Sequence, residues 1–72
     1  MVMEMKNKNY NLYNERDRQG YSQKYMAELL NVNAMTYCNK ENGKYPFTEY
    51  EMIKISKKLN KSLDELFMRE VS

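Results

Sequence analysis

Few side chains in this sequence could carry out covalent chemistry. The chain has one cysteine, Cys38, and no histidine, so neither a Cys/His nor a Ser/His/Asp nucleophilic arrangement is possible. The same counts exclude an internal disulfide and a histidine-containing metal site. A lone cysteine is more often a small structural residue than a nucleophile, and it fits a reducing compartment. We therefore expect no enzymatic activity, no metal, no cofactor and a cytoplasmic location.

The charge balance is compatible with an anionic partner but does not by itself require one. The 72 residues include 12 basic and 10 acidic ones, for a net charge of +2. Between Ser22 and Tyr45 the only acidic residues are Glu28 and Glu41, so this stretch is the more basic part. Lysines 54, 57, 58 and 61 form a second basic cluster, which is either a solvated face or a further contact surface. No apolar run approaches the roughly 18 residues of a membrane span, so we expect no membrane association.

Residues that end and begin helices divide the chain into five short helical segments. Gly20 and Gly43 favour the left-handed conformation that ends a helix, and Asn31 and Asn60 are the next best residues for it. Helices are predicted at about 10–19, after cap residues Ser22 and Asn33, and after two capping boxes, Thr48 to Glu51 and Ser62 to Glu65. We predict one compact all-α domain over residues 10–70, preceded by a flexible or weakly ordered arm of residues 1–9.

Apolar residues at helical spacing predict which side of each helix faces the core. The first helix presents Leu12, Tyr13 and Arg16 on one face, and the connector before the fourth helix places Phe47 in the core. The remaining inward residues are predicted to be Tyr25 or Met26, Leu29, Leu30, Met52, Ile55, Ser56, Leu59, Leu63, Leu66 and Phe67.

A short connection between the second and third helices is the most specific local feature. Only Val32 separates Asn31, which ends one helix, from Asn33, which caps the next. A turn of three to four residues between two helices is typical of a helix-turn-helix unit. The sequence therefore predicts such an element over residues 22–43.

In this order and spacing the chain resembles the phage-repressor and Cro-like (XRE-type) helix-turn-helix domains. The matching pieces run from about Leu12 to Phe67, and they are Arg16, Gly20, Ser22-Gln23, Ala27-Glu28-Leu29-Leu30, Val32, Glu41-Asn42-Gly43-Lys44 and Ser62-Leu63-Asp64-Glu65-Leu66-Phe67. The resemblance implies a five-helix lambda-repressor-like fold. It also implies a sequence-specific DNA-binding transcriptional regulator, a repressor of phage or mobile-element type that binds a double-stranded operator.

The resemblance also implies roles for individual residues. It places Asn33, Ala34, Met35, Thr36 and Asn39 at the positions that contact base edges, and we call these five residues the reading face. It makes Gln23 a phosphate contact that also supports the recognition helix, consistent with the anion affinity of a helix N-terminus. It pairs Arg16 with Glu41 as a structural ion pair. Phosphate contacts are expected from Gln23, Lys24, Lys40, Lys44 and Tyr45.

The reading face has a chemistry of its own. Asn39 can pair with adenine through two hydrogen bonds, while Ala34, Met35 and the Thr36 methyl can contact thymine methyl groups. This set suggests a site rich in A and T.

At two other positions of this helix, where the family more often has aliphatic residues, this chain has Tyr37 and Lys40. Tyr37 can bury its ring and reach a partner with its hydroxyl, whereas Lys40 either contacts phosphate or is solvated.

One copy of such a domain reads about half of an operator, so we expect a homodimer, at least on DNA. The contact surface between the two copies would come from the last helix and C-terminal tail or from the methionine-rich N-terminal arm. Because five residues follow Phe67, we expect no small-molecule effector domain.

The alternative function is an antitoxin-like or other protein-interaction module on the same fold. Such a module would co-purify with a protein partner and show no specific DNA binding.

Overall fold

A computed structural model describes residues 8–67 of the chain. This part consists of five helices joined by short connections and contains no strand. The helices are α1 (Tyr10–Arg18), α2 (Gln23–Leu30), α3 (Ala34–Glu41), α4 (Glu49–Leu59) and α5 (Leu63–Phe67). The predicted all-α fold is confirmed. The predicted arm lies largely outside the described residues, although Lys8 and Asn9 are included.

Side-chain caps begin four of these helices at the predicted residues. The Ser22 hydroxyl accepts from the Tyr25 N–H at 3.0 Å, and the Asn33 side chain accepts from the Thr36 N–H at 2.8 Å. Thr48 forms a reciprocal capping box with Glu51, and Ser62 does the same with Glu65. These bonds satisfy N–H groups that have no acceptor within their own helix.

Asparagine, rather than glycine, ends α2 and α4. Asn31 has φ 63° and Asn60 has φ 57°, both in the left-handed region that asparagine tolerates better than most residues. In this conformation the Asn31 N–H reaches the Glu28 carbonyl, and the following Val32 N–H reaches the Ala27 carbonyl. The tight turn that brings α3 against α2 therefore follows from one residue.

The core lies between all five helices and the connector before α4. Phe47, from that connector, packs into the core with its ring centroid 5.8 Å from that of Tyr37 and 5.6 Å from that of Phe67. The closest helix packing is between α2 and α3, where the small Ala27 is only 2% exposed. The buried apolar residues are Leu12, Met26, Ala27, Leu30, Tyr37, Phe47, Ile55, Leu59 and Leu66.

Two of the predicted inward residues lie instead at the surface. Tyr13 is 36% exposed and Leu63 is 39% exposed, whereas Leu12 is fully buried. Adjacent residues of a helix point about 100° apart, and on α1 it is Leu12 that points into the core while Tyr13 lies at the edge of the buried face. In α2 the buried pair is Met26 and Ala27, and Tyr25 is 38% exposed. No helix within residues 8–67 is long and apolar enough to cross a membrane.

Candidate nucleic-acid interface

The helix α3 has an inner face of buried residues and an outer face open to solvent. Tyr37 and Glu41, one turn apart, are both fully buried. On the opposite side Met35 is 72% exposed, the most exposed of the large apolar side chains in the described part of the chain. The reading face comprises exposed Asn33, Ala34 and Met35 and half-buried Thr36 and Asn39.

The buried side of α3 is held by a polar cluster around the Glu41 carboxylate. Arg16 Nε lies 2.7 Å from Oε2 of Glu41 and Arg16 Nη2 lies 3.1 Å from Oε1, so the two groups meet in a bidentate ion pair. The Tyr37 hydroxyl donates to Oε2 at 2.9 Å, and Gln23 Nε2 donates to Oε1 at 2.9 Å. We call these four residues the Glu41 cluster. It joins α1, α2 and α3 through one carboxylate.

The charged pair of this cluster is buried. The Arg16 side chain is 7% exposed and that of Glu41 is 0% exposed. A buried charge is tolerated when it is paired and its remaining hydrogen-bonding groups are satisfied. Arg16 meets this condition because its Nη1 also donates to the Tyr21 carbonyl at 2.7 Å.

The surroundings raise the pKa values of two members of the cluster, Tyr37 and Arg16. Burial, and next the negative charge of Glu41, raise the pKa of the Tyr37 hydroxyl well above its ordinary value. Burial alone would lower the pKa of Arg16, but hydrogen bonding to Glu41 and the attraction of its charge outweigh this effect and raise it. Tyr37 therefore stays a hydrogen-bond donor and Arg16 stays charged at ordinary pH.

Lys40 has a protein partner that the sequence did not reveal. Its Nζ lies 2.8 Å and 2.9 Å from the two carboxylate oxygens of Glu51, and its side chain is 15% exposed. Glu51 Oε1 also accepts the Thr48 N–H at 2.9 Å, so the capping carboxylate of α4 doubles as the ion-pair partner of α3. Burial alone would raise the pKa of Glu51, but the bonds from Lys40 and Thr48 outweigh it and lower that pKa.

The other residues assigned to phosphate contacts lie in different surroundings. Gln23 is the first residue of α2 and is half-buried beside Glu41, whereas Lys24 and Lys44 are exposed. Tyr45 is 52% exposed in the connector after α3. The Lys44 N–H donates to the Asn39 carbonyl at 2.8 Å, which ties this connector to the last turn of α3. The exposed basic groups thus lie at the start of α2 and just beyond the C-terminus of α3.

An all-α domain in which a short turn joins two close-packed helices, the second with an open outer face, defines a helix-turn-helix protein. Residues 12–66 match the helix-turn-helix family model, and the chain belongs to this XRE-type family of DNA-binding regulators. No curated protein and no solved structure matches the chain. Within residues 8–67, no group of three or more histidine, cysteine or acidic residues is arranged to hold a metal ion.

Proposed function

We propose that the protein is a sequence-specific transcriptional repressor of phage or mobile-element type, which inserts α3 into the major groove of an operator. The observation that carries the proposal is the asymmetry of α3. Its buried side is held by the Glu41 cluster, while Met35 at its outer side is 72% exposed. A rigid helix with a solvent-open mixed polar and apolar face is the element that direct base recognition requires.

Each residue of the reading face has a defined chemical capacity. Asn39 can donate to and accept from the edge of adenine, and Met35 and Ala34 can contact thymine methyl groups. The Asn33 side-chain oxygen accepts from the Thr36 N–H, so its amide N–H groups are what it offers to DNA. Because this face contains no arginine, guanine recognition through the commonest contact is absent, and we propose an A/T-rich half-site.

Backbone contacts would position this face without selecting sequence. Lys24, near the start of α2, and Lys44 and Tyr45, just after α3, are exposed, and Gln23 lies at the N-terminus of α2, where N–H groups favour a phosphate. Lys40 contributes less in this proposal, because Glu51 already holds its ammonium group. Glu41 is assigned to support of α3, since it is fully buried.

The operator would be read by two copies of the chain. A single α3 covers a few base pairs, and paired recognition helices about 34 Å apart contact successive turns of the major groove. We therefore propose a homodimer on DNA that occludes a promoter, with the cytoplasm as its place of action.

Selection of bound duplexes from a random pool tests both the reading face and the dimer. We expect enrichment of an A/T-rich sequence with two half-sites separated by one helical turn. Substituting Met35→Ala or Asn39→Ala should change the preferred bases, whereas Tyr50→Ala, an exposed position on α4, should leave them unchanged. A wild-type protein that enriches no sequence, and instead co-purifies with a stoichiometric protein partner, would refute the proposal.

A further inference from the structure

Asn9 connects the segment before α1 to the end of the recognition helix. Its side-chain Nδ2 donates to the Lys40 carbonyl at 3.1 Å, and its backbone N–H donates to the Glu41 carbonyl at 2.9 Å. Both acceptors lie in the last turn of α3, whose carbonyls have no partner within the helix. The Gly43 N–H shares the Lys40 carbonyl. Asn9 therefore supplies, from a distant part of the chain, bonds that complete the C-terminus of α3.

This use of Asn9 replaces its ordinary role. Asn9 occupies the cap position of α1, where an asparagine side chain commonly accepts from an N–H of the first turn. Here it makes no such bond, and its ψ of 76° differs from the 165° of Asn33, which does cap its helix. The side chain is thus committed to α3 and not to its own helix.

Within residues 8–67, the polar side-chain attachments of α3 to the rest of the domain lie near its C-terminal end. Glu41 is bound by Arg16, Lys40 is bound by Glu51, and the carbonyls of both residues accept from Asn9. The residues of the reading face lie mostly in the first turn. A helix of this length spans about 12 Å, so a tilt of about 5° at the attached end displaces the first turn by about 1 Å. Such a displacement is enough to break a hydrogen bond.

We propose that Asn9 is a positioning residue for base recognition. It sets the orientation of α3, and through it the register of the reading face, without touching DNA. This inference rests on the proposed function, because positioning matters only if α3 reads bases. It makes Asn9 part of the DNA-reading apparatus, although the residue precedes the first helix.

Three variants test the assignment. Asn9→Ala removes the amide donor, and Asn9→Asp keeps the shape but presents a carboxylate to the Lys40 carbonyl and to the negative end of the α3 dipole. Asn14→Ala is the control, since Asn14 is an exposed asparagine on α1. The measurement is the ratio of Kd for a scrambled duplex to Kd for the selected duplex, with thermal unfolding recorded for each variant.

We expect Asn9→Ala to reduce this ratio by about two- to ten-fold, the effect of one neutral hydrogen bond, and Asn9→Asp to reduce it further. The dependence of binding on salt should not change in Asn9→Ala, because the number of phosphate contacts is the same. Asn14→Ala should retain the wild-type ratio. A purely structural role would weaken binding to both duplexes equally and leave the ratio unchanged, and that result would overturn the inference.

Amide hydrogen exchange separates this inference from the proposed function. The amides of residues 42–44 should exchange faster in both Asn9 variants than in the wild-type protein and in Asn14→Ala. Unchanged exchange would overturn the attachment even if DNA is read as proposed. A wild-type ratio near one would instead overturn the proposed function itself.

Discussion

Arg16 and Glu41 meet in a bidentate ion pair across α1 and α3, with N–O distances of 2.7 Å and 3.1 Å and almost no exposure to solvent. The pair fixes the inner side of α3 to α1. Replacing both charges together would cost little if the space were filled, but removing one partner leaves the other buried and uncompensated. The following predictions depend on this and neighbouring contacts.

Removing the charge of Glu41 should severely destabilise the fold. Glu41→Gln keeps the shape of the side chain but leaves the Arg16 guanidinium without a counter-charge, at a cost of about 3–5 kcal/mol. Because small domains are stable by only about 5–15 kcal/mol, the variant should be marginally folded in urea and thermal denaturation. The exposed Glu28→Gln is the control and should change stability by less than about 0.5 kcal/mol. A loss below about 1 kcal/mol in Glu41→Gln would show that the ion pair is not needed.

The Tyr37 hydroxyl should contribute measurably to stability. Tyr37→Phe keeps the buried ring but removes the bond to Glu41, and hydrogen bonds to charged groups are worth about 1.5–3 kcal/mol. Urea denaturation at neutral pH measures this loss. Tyr50→Phe is the matched control, because Tyr50 is 67% exposed. Equal stability of the two variants would contradict the prediction.

Tyr37 should also make the fold sensitive to alkali. Its pKa is raised in the folded protein, so above the ordinary tyrosine pKa of about 10 the unfolded chain releases a proton that the folded chain retains. Its stabilising contribution is complete below that pH and is lost as the pH rises toward its raised pKa, at up to about 1.4 kcal/mol per pH unit. Denaturation from pH 9 to 11.5 measures the slope of the unfolding free energy against pH. In Tyr37→Phe this slope should be smaller than in the wild-type protein, by the equivalent of one proton. An identical slope would mean that Tyr37 ionises normally.

Lys40 and Glu51 should be energetically coupled. Their side chains are 15% and 11% exposed, so a double-mutant cycle with Lys40→Met and Glu51→Gln should give a coupling of about 1–3 kcal/mol. The pKa of Glu51 is lowered in the folded state, so its contribution is present above its ordinary pKa and is lost as the pH falls through the lowered value. Acid unfolding should therefore begin at a higher pH in Lys40→Met than in the wild-type protein. A coupling near zero would place Lys40 in solvent instead.

The salt dependence of DNA binding should distinguish the lysines. Lys24→Met and Lys44→Met should each reduce the slope of log K against log salt by about 0.9, as expected for the loss of one phosphate contact. Lys40→Met should reduce it less, because Glu51 holds the ammonium group. Lys57→Met, an exposed position on α4, is the control. A reduced slope for Lys57→Met would show that the basic cluster of α4 also contacts DNA.

Local features of the sequence were sufficient for the helices and their ends. The caps at Ser22 and Thr48 depend on residues three positions apart, and the left-handed ends at Asn31 and Asn60 depend on a single residue type. Periodicity was less reliable at the edge of a face. The spacing of apolar residues predicted that Tyr13 lies beside Leu12 in the core. An aromatic residue fits the apolar pattern whether or not a neighbouring helix covers it.

Two contacts between residues that are distant in the sequence could not be predicted from it. The sequence left Lys40 with two alternatives, phosphate or solvent, and the structure shows a third in Glu51. Glu51 was recognised as a capping residue, but a carboxylate has room for more than one donor, and nothing local indicates which lysine fills it. The side-chain bond from Asn9 to Lys40 of α3 spans 31 positions, and no pattern in the sequence marks it.

The helices, caps and turn within residues 22–43 could thus be predicted from the sequence itself, because each depends on residues only a few positions apart. The tertiary structure decided how α3 is held: the distances within the Glu41 cluster, the Lys40–Glu51 pair and the turn of Asn9 away from its own helix. These depend on where α1 and α4 come to rest against α3. That placement results from the packing of the whole core, which no single segment encodes.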